Sequence, residues 1–317
     1  MIHRIFIKIF KRYKEKIFLF LFRKQVLIKA IKYGRLGNNI QQLLLLVAHY
    51  KVFGCNYFFE DEFINEYLFL IKFNYLPGFI EIKNPSKSFI SSKKIIKNNM
   101  YLFTRNYQRF FINSFLSDRI FRDSFLSKNR FLKMIPELVN AIKPAMVDLL
   151  NLSKSNEILI NQYNDICVLH LRGGDTIPPK NLNHISNPIS YYFWLKNFYK
   201  EIIIIHEPST LNPVIEEIHK IFDVKKTISG SIKDDFSLIA NSKNVATSGV
   251  GTFAIAACLF NPILKNLFYS DAYLNEHLNP NFISSNVNKH CYELGRKFYT
   301  KWNSCSPRDR LKLVYKF

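Results

Sequence analysis

Cysteine is scarce and unpatterned in this chain. Its five cysteines, Cys55, Cys167, Cys258, Cys291 and Cys305, are odd in number and widely spaced. No C-x-x-C pair occurs and no His/Cys cluster has zinc-ligand spacing, which excludes a zinc ribbon and a dithiol redox centre. Cys167 and Cys258 sit in apolar runs, where a free thiol packs as a small hydrophobe. This usage fits a reducing cytosol. Acidic residues are also few. The 317 residues carry 24 Asp and Glu against 45 Lys and Arg, a formal net charge of +21. Such an excess points to polyanionic partners: nucleic acid, anionic lipid or a phosphorylated small molecule. No nucleic-acid-binding motif appears, and the aromatics lie in apolar runs rather than between basic residues, so nucleic acid is not expected. Repeats and low-complexity linkers are missing too. Hydrophobic residues make up 48% of the chain, which excludes wholesale disorder, and the length suggests two domains.

Long apolar runs are missing from the amino-terminal stretch. Residues 1–33 hold ten Lys or Arg and one acid, Glu15, and the run Ile17 to Phe22 is six residues long. A transmembrane helix needs about 20 apolar residues, and a signal peptide needs a longer apolar core with a small-residue cleavage site. Bulky apolar residues threaded among cations fit a helix lying on an anionic membrane surface. The competing reading is a solvated basic arm. The carboxyl end is basic as well, with Arg296, Lys297, Lys301, Arg308, Arg310, Lys312 and Lys316. These features set an expectation of a cytoplasmic protein peripherally associated with the inner face of the membrane.

What is present is an alternation of strand and helix patterns. Residues 25–32 read as extended, Ile40 to Phe53 as a helix stopped by Gly54, and Cys55 to Phe59 as the next strand, a β-loop-α-β unit. Residues 60–150 are rich in Phe, Asn, Ser and Lys and give no clear pattern, apart from a helical reading of 131–152 interrupted by Pro136 and Pro144. From about 156 the alternation is clear, with strands at Ile166–Leu171, Ile202–Ile205, 224–228, 243–247 and 264–269. Helices are expected at 189–199, 211–222, 232–242 and 251–260. Four consecutive isoleucines mark a strand buried on both faces. The expected fold class is α/β, two Rossmann-like domains facing a cleft. The corresponding division is a basic segment at 1–33, an acceptor-side domain at 25–155, a nucleotide-sugar-binding domain at 156–275 and a basic segment at 276–317.

Three stretches carry candidate chemistry. His170-Leu171-Arg172-Gly173-Gly174-Asp175 lies where strand 166–171 ends, the edge at which open α/β sheets bind ligands. There Arg172 and the glycine amides can meet a diphosphate, with Asp175 orienting the arginine. The competing reading is a plain strand-end turn, with His170 in the core and Arg172 paired to Asp175. Gly34-Arg35-Leu36-Gly37-Asn38-Asn39 is not G-x-G-x-x-G and lacks a Walker lysine, yet its glycines sit at a strand-to-helix turn. Asp234-Asp235-Phe236 through Ser248-Gly249-Val250-Gly251-Thr252-Phe253-Ala254 leads a helix and a strand into a glycine turn and a second helix. Thr252 is either a ligand contact or merely an N-cap.

Taken together, GRLGNN, HLRGGD and DDFSLIANSKNVATSGVGTFAIAA resemble the fucosyltransferase superfamily, closest to the bacterial α-1,2-fucosyltransferase group. The resemblance spans most of the chain except residues 60–150. His170, Arg172, Gly174, Asp175, Gly34, Arg35, Gly37, Asn38 and Phe253 match the family's stretches. Gly173 stands where the family has a second arginine, Asn39 where it has glutamine, and Gly251-Thr252-Phe253-Ala254 replaces Ser-Thr-Phe-Ser. The resemblance implies a GT-B fold, an inverting mechanism, no metal and no cofactor beyond a nucleotide-sugar donor, GDP-fucose first. It implies Arg172 as the catalytic cation, with His170, Gly174, Asp175, Asp235, Thr252 and Phe253 at the donor. Gly34, Arg35, Gly37 and Asn38 would face the cleft and a glycan acceptor. A metal-dependent transferase usually carries D-x-D after a strand; Asp234-Asp235 is adjacent instead, and Glu60-Asp61-Glu62 reads as a solvated turn. By type alone, Glu60, Asp61 and His184 are the candidate general bases. Two rivals stand beside this reading: a transferase of the same fold with another donor sugar, and a non-catalytic basic protein that binds membrane or nucleic acid.

Overall fold

The structure, a computed structural model, describes residues 27–30, 35–54, 56–59, 70–81, 128–163, 165–173, 179–207, 212, 214–275 and 277–317. The basic segment expected at 1–33 therefore lies mostly outside the described residues, as do Gly34, Glu60, Asp61, Gly174 and Asp175. The chain divides into two compact units: Met1–Gly34 with Asn39–Val147, and Arg35–Asn38 with Asp148–Phe317.

In the first unit, β1 (Leu27–Ala30) and β2 (Asn56–Phe59) pair in parallel, Leu27 opposite Asn56. Helix α1 (Leu36–Phe53) joins them. Every residue from Leu43 to Ala48 is fully buried, as is Ile40, so α1 is a core helix rather than an amphipathic surface one. Gly54, at φ 69°, ends it and donates its amide to the Tyr50 carbonyl. Helix α2 (Lys128–Ile142) buries Phe131, Ile135, Leu138, Val139 and Ile142, one stripe at helical spacing. The helix runs through Pro136, and Pro144 falls in the 3-10 turn Lys143–Met146 that follows. Lys51 of α1 donates to Glu137 of α2 at 2.6 Å.

The second unit is built on a six-stranded parallel sheet. Its strands are β3 (Cys167–Leu171), β4 (Glu201–His206), β5 (Asp223–Ile228), β6 (Asn244–Thr247), β7 (Asn266–Ser270) and β8 (Asn288–Tyr292). Their spatial order is β5-β4-β3-β6-β7-β8. Numbered from the start of the unit this is 3-2-1-4-5-6, the order of dinucleotide-binding sheets. Helices α3 (Lys154–Gln162), α4 (Ile189–Lys196), α5 (Ile215–Ile221), α6 (Ile232–Ala240) and α7 (Phe253–Leu259) precede or link the strands. Ile202, Ile203, Ile204 and Ile205 are all buried, as expected of a strand covered on both faces.

The sheet carries one strand more than the sequence suggested. β8 is an edge strand, mostly exposed, with no apolar run to announce it. An asparagine ladder fixes its register: Asn288 donates to Asn266 at 3.2 Å, and Asn266 donates to Asn244 at 2.8 Å, across strands in which these residues face one another. Helices α8 (Gly295–Ser304) and α9 (Pro307–Lys316) complete the unit. Phe298, Trp302, Leu313 and Val314 join the core cluster of Leu169, Ile204 and Phe268. The basic carboxyl end is thus integral to the fold. Arg296, Lys297, Lys301, Arg308 and Lys312 stay exposed. Arg310 is buried, and donates to the carbonyls of Trp302 at 3.0 Å and Pro179 at 2.8 Å. Among the described residues, no helix is long and apolar enough to cross a membrane.

Candidate nucleotide site

The order of the strands places a switch point between β3 and β6, where the chain leaves one side of the sheet and returns to the other. Both mid-chain motifs end there. Arg172 follows β3, and the turn Ser248–Thr252 joins β6 to α7. The two are tied together. The Arg172 amide donates to Ser248 Oγ at 2.8 Å, and Arg172 Nη1 donates to the Val250 carbonyl at 2.8 Å. Asn212 Nδ2 donates to the Arg172 carbonyl at 2.9 Å. A half-buried guanidinium is held on the carboxyl edge by its own backbone and by a neighbouring turn, so its direction is preorganised.

The turn is pinned in its own right. The Asn187 amide donates to the Ser248 carbonyl at 3.0 Å, its side chain to the Thr247 carbonyl at 3.0 Å, and Ser270 Oγ to Asn187 Oδ1. The Val250 amide donates to the Ile185 carbonyl at 2.9 Å. Asn187 and Asn212 lie outside the three candidate stretches, and Ser248 stands in the third with no role of its own. Single asparagines and serines in loops carry no pattern, and the partners named here lie 40 to 83 positions away in the chain, met only by virtue of the fold.

The GRLGNN stretch reaches the same place through residues that belong to the second unit. Thr252 Oγ1 donates to Asn38 Oδ1 at 2.8 Å. Its hydroxyl proton is committed there, and Thr252 makes no side-chain cap to α7. Gly37 lies against this turn: a Cβ on it would stand 2.6 Å from Thr252 C and Oγ1 and 2.7 Å from Phe253 N. Gly37 is inside α1, where Ala normally stabilises by roughly 1 kcal/mol over Gly. Here the sign reverses. Gly37→Ala is expected to lower stability by about 1–3 kcal/mol, read as a drop in the urea midpoint.

His170 stacks on Phe253, ring centroids 5.2 Å apart at 29°, and Phe253 meets Phe236 of α6 edge-on at 5.5 Å. Burial, and then the Arg172 charge, push the His170 imidazole down to about 4, so it is uncharged at neutral pH. Its folded value lies below the ordinary 6.5, so protons bind the unfolded chain more readily. Its contribution to stability is complete above 6.5 and lost as pH falls towards 4. His49, buried in α1, behaves the same way. Thermal melts across that range should show a steep loss, and His170→Phe, which keeps a ring for Phe253, should make it shallower.

Asp235 is in the first turn of α6, beside Phe236. It is 7% exposed, and burial pushes its carboxyl up to about 7 against the opposing Gly230 amide. Among the described residues its Oδ1 has no hydrogen-bond partner. Asp234, not Asp235, makes the capping exchange with Ser231. Arg35 pairs with Glu207, Nη1 at 2.8 Å from each carboxylate oxygen. Glu207 directly follows β4, and its signal, an acid just past a buried strand, was legible but unremarked. His184 donates its amide to the Asn181 carbonyl. Among the described residues, no group of three or more His, Cys, Asp or Glu is placed to hold a metal ion.

The structure therefore gathers Arg172, His170, Thr252, Phe253, Gly37, Asn38 and Arg35 around one switch point of a parallel α/β unit with nucleotide-binding strand order. No family model matches the chain, and no curated protein matches it. Among solved structures it is similar to a family 9 glycosyl transferase from Veillonella parvula, at 11% identity, with 91% of this chain and 97% of that one covered and a TM-score of 0.41. It is similar to the E. coli heptosyltransferase WaaC with ADP-2-deoxy-2-fluoro heptose, at 10% identity, 91% and 99% coverage and a TM-score of 0.41. A UDP-N-acetylglucosamine 2-epimerase from Rickettsia bellii is similar at 11% identity, 70% and 74% coverage and a TM-score of 0.32. All three scores lie below 0.5, and the α/β assignment rests on the strand order instead.

Proposed function

We propose that this protein is an inverting, metal-independent glycosyltransferase of GT-B type that transfers fucose from GDP-fucose to a hydroxyl of a surface glycan. The observation that carries the reading is Arg172, held on the carboxyl edge of β3 by Ser248 and Val250 at the switch point. A cation fixed there is suited to a leaving diphosphate. The acceptor hydroxyl oxygen attacks the anomeric carbon and its proton passes to a general base or to water, the bond from that carbon to the phosphate oxygen breaks, and the nucleoside diphosphate departs with an added negative charge. Arg172 takes the part that a metal plays in metal-dependent transferases. The family resemblance supplies the choice of fucose and guanosine. Buried Asp235 would meet the base or ribose, and Asn38 would meet the acceptor. The exposed cations of α8 and α9, with the basic amino-terminal stretch, would hold the enzyme at the inner face of an anionic membrane, where such glycans are assembled.

Gly173 in place of the family's second arginine favours one variant of this reading, a different nucleotide sugar as donor. Melting the protein with GDP, UDP, CMP and ADP separates the two. A ligand that binds only the folded state raises its melting temperature, by about 2.7 kcal/mol of added stability at a hundredfold excess over Kd. GDP is expected to give the largest shift. A larger shift with another nucleotide would replace the donor, and no shift with any of them would remove the transferase reading.

A further inference from the structure

We propose that Glu207 is a positioning residue, which holds the Arg35 guanidinium at the switch point as a second cation for the donor diphosphate. The inference rests on the donor reading above and adds to it a residue, Glu207, that the motifs do not contain.

A closed circuit of contacts places Arg35 and Arg172 on one rim. The Arg172 side chain lies against Gly251, where a Cβ would be 3.6 Å from Arg172 Cδ. Thr252 comes next and donates to Asn38 at 2.8 Å. The Asn38 amide donates to the Arg35 carbonyl at 2.9 Å. Arg35 Nη1 sits astride the Glu207 carboxylate at 2.8 Å. Glu207 follows His206, which is in register with Leu171, and Leu171 precedes Arg172. The circuit encloses the carboxyl ends of β3, β4 and β6, and every member belongs to the second unit.

The Arg35 side chain is 54% exposed and that of Glu207 25%. An ion pair so open to water adds little to stability. Its effect is directional: a long flexible cation beside the site is confined to one place, so less freedom is lost when an anion arrives. A carboxylate this close to an incoming diphosphate would otherwise repel it. Positioning and simple repulsion therefore predict opposite results for the same substitution.

The test is isothermal titration of the full chain with GDP, UDP and ADP, and with the matching nucleosides, which lack phosphate. If Glu207 acts through Arg35, Glu207→Gln weakens binding of the nucleoside diphosphate by about 3–10-fold, and Arg35→Ala by about 10–100-fold, in the range of charge-assisted contacts. The double variant is then no weaker than Arg35→Ala alone, which is the signature of one residue working through another. Nucleoside binding stays as in the wild type. Tighter or unchanged diphosphate binding in Glu207→Gln overturns the inference, as do additive losses or an equal loss for the nucleosides, and the donor reading stands in each case. A wild-type protein that binds none of the three diphosphates overturns the donor reading itself, and the inference falls with it.

Discussion

Replacing Arg172 with alanine is expected to cut the transfer rate by about 10²–10³, the usual cost of losing one donor aimed at developing charge. The fold should survive. The Arg172 amide bond to Ser248 is a backbone contact and is kept, as is the Asn212 bond to the Arg172 carbonyl. The Nη1 bond to the Val250 carbonyl is lost, and that carbonyl is left short of one partner, a cost of about 1–3 kcal/mol. The loss should lie mainly in kcat, because the diphosphate gains its charge as the sugar leaves. Arg172→Lys separates charge from geometry. A lysine keeps the charge but cannot hold Val250 and meet a phosphate as a planar fork, so it should recover only a small part of the rate. Steady-state donor turnover, with melting curves to show that the variants fold, measures both. An Arg172→Ala enzyme with undiminished turnover would remove the arginine from the chemistry.

How much of this could be read in advance depends on the distance over which each feature acts. The strands β3 and β4 were legible because each is a largely apolar run bounded by polar residues, and Ile202–Ile205 left no alternative to a buried strand. Arg172 was legible because it lies one position past such a run. The start of α1 was not. The helix begins at Leu36, four positions earlier than periodicity suggested, with Gly37 and Asn38 in its first turn. Those residues disfavour a helix locally, and the tertiary contacts to Thr252 outweigh that preference. β8 was missed for a related reason: its residues are Asn, Lys, His, Cys and Tyr, and it is held by an asparagine ladder to strands 22 positions apart. The Arg35–Glu207 pair spans 172 positions and the Asn38–Thr252 bond 214. No spacing rule reaches that far. The motifs told which residue types the site needs, and the sheet topology decided which of them meet.

The most severe single change expected outside the charged groups is Gly249→Ala. Gly249 has φ 112°, a backbone conformation open to glycine and strained for other residues by about 1–3 kcal/mol. A Cβ there would also stand 2.3 Å from the Ile185 carbonyl oxygen, 3.1 Å from Ser186 Cα and 3.2 Å from the Asn187 amide nitrogen. All three are backbone atoms that cannot turn aside as a side-chain tip would. Relief requires the Ser248–Val250 turn to move away from residues 185–187, which breaks the Val250 amide bond to Ile185 and the Asn187 amide bond to Ser248. Strain and overpacking together should cost about 3–5 kcal/mol. Gly295→Ala is the control. Its φ is 76°, with nothing among the described residues within 4 Å of the added Cβ, so it carries the backbone strain alone, about 1 kcal/mol. The difference between the two urea midpoints then reports the steric part together with the extra backbone strain of φ 112° over φ 76°. The same displacement moves the Val250 carbonyl that orients the Arg172 guanidinium, so Gly249→Ala should also weaken nucleoside diphosphate binding, at a temperature where the variant is still folded, while Gly295→Ala should not. Equal stabilities for the two variants would mean that the turn yields freely, and that the arginine is not held by it.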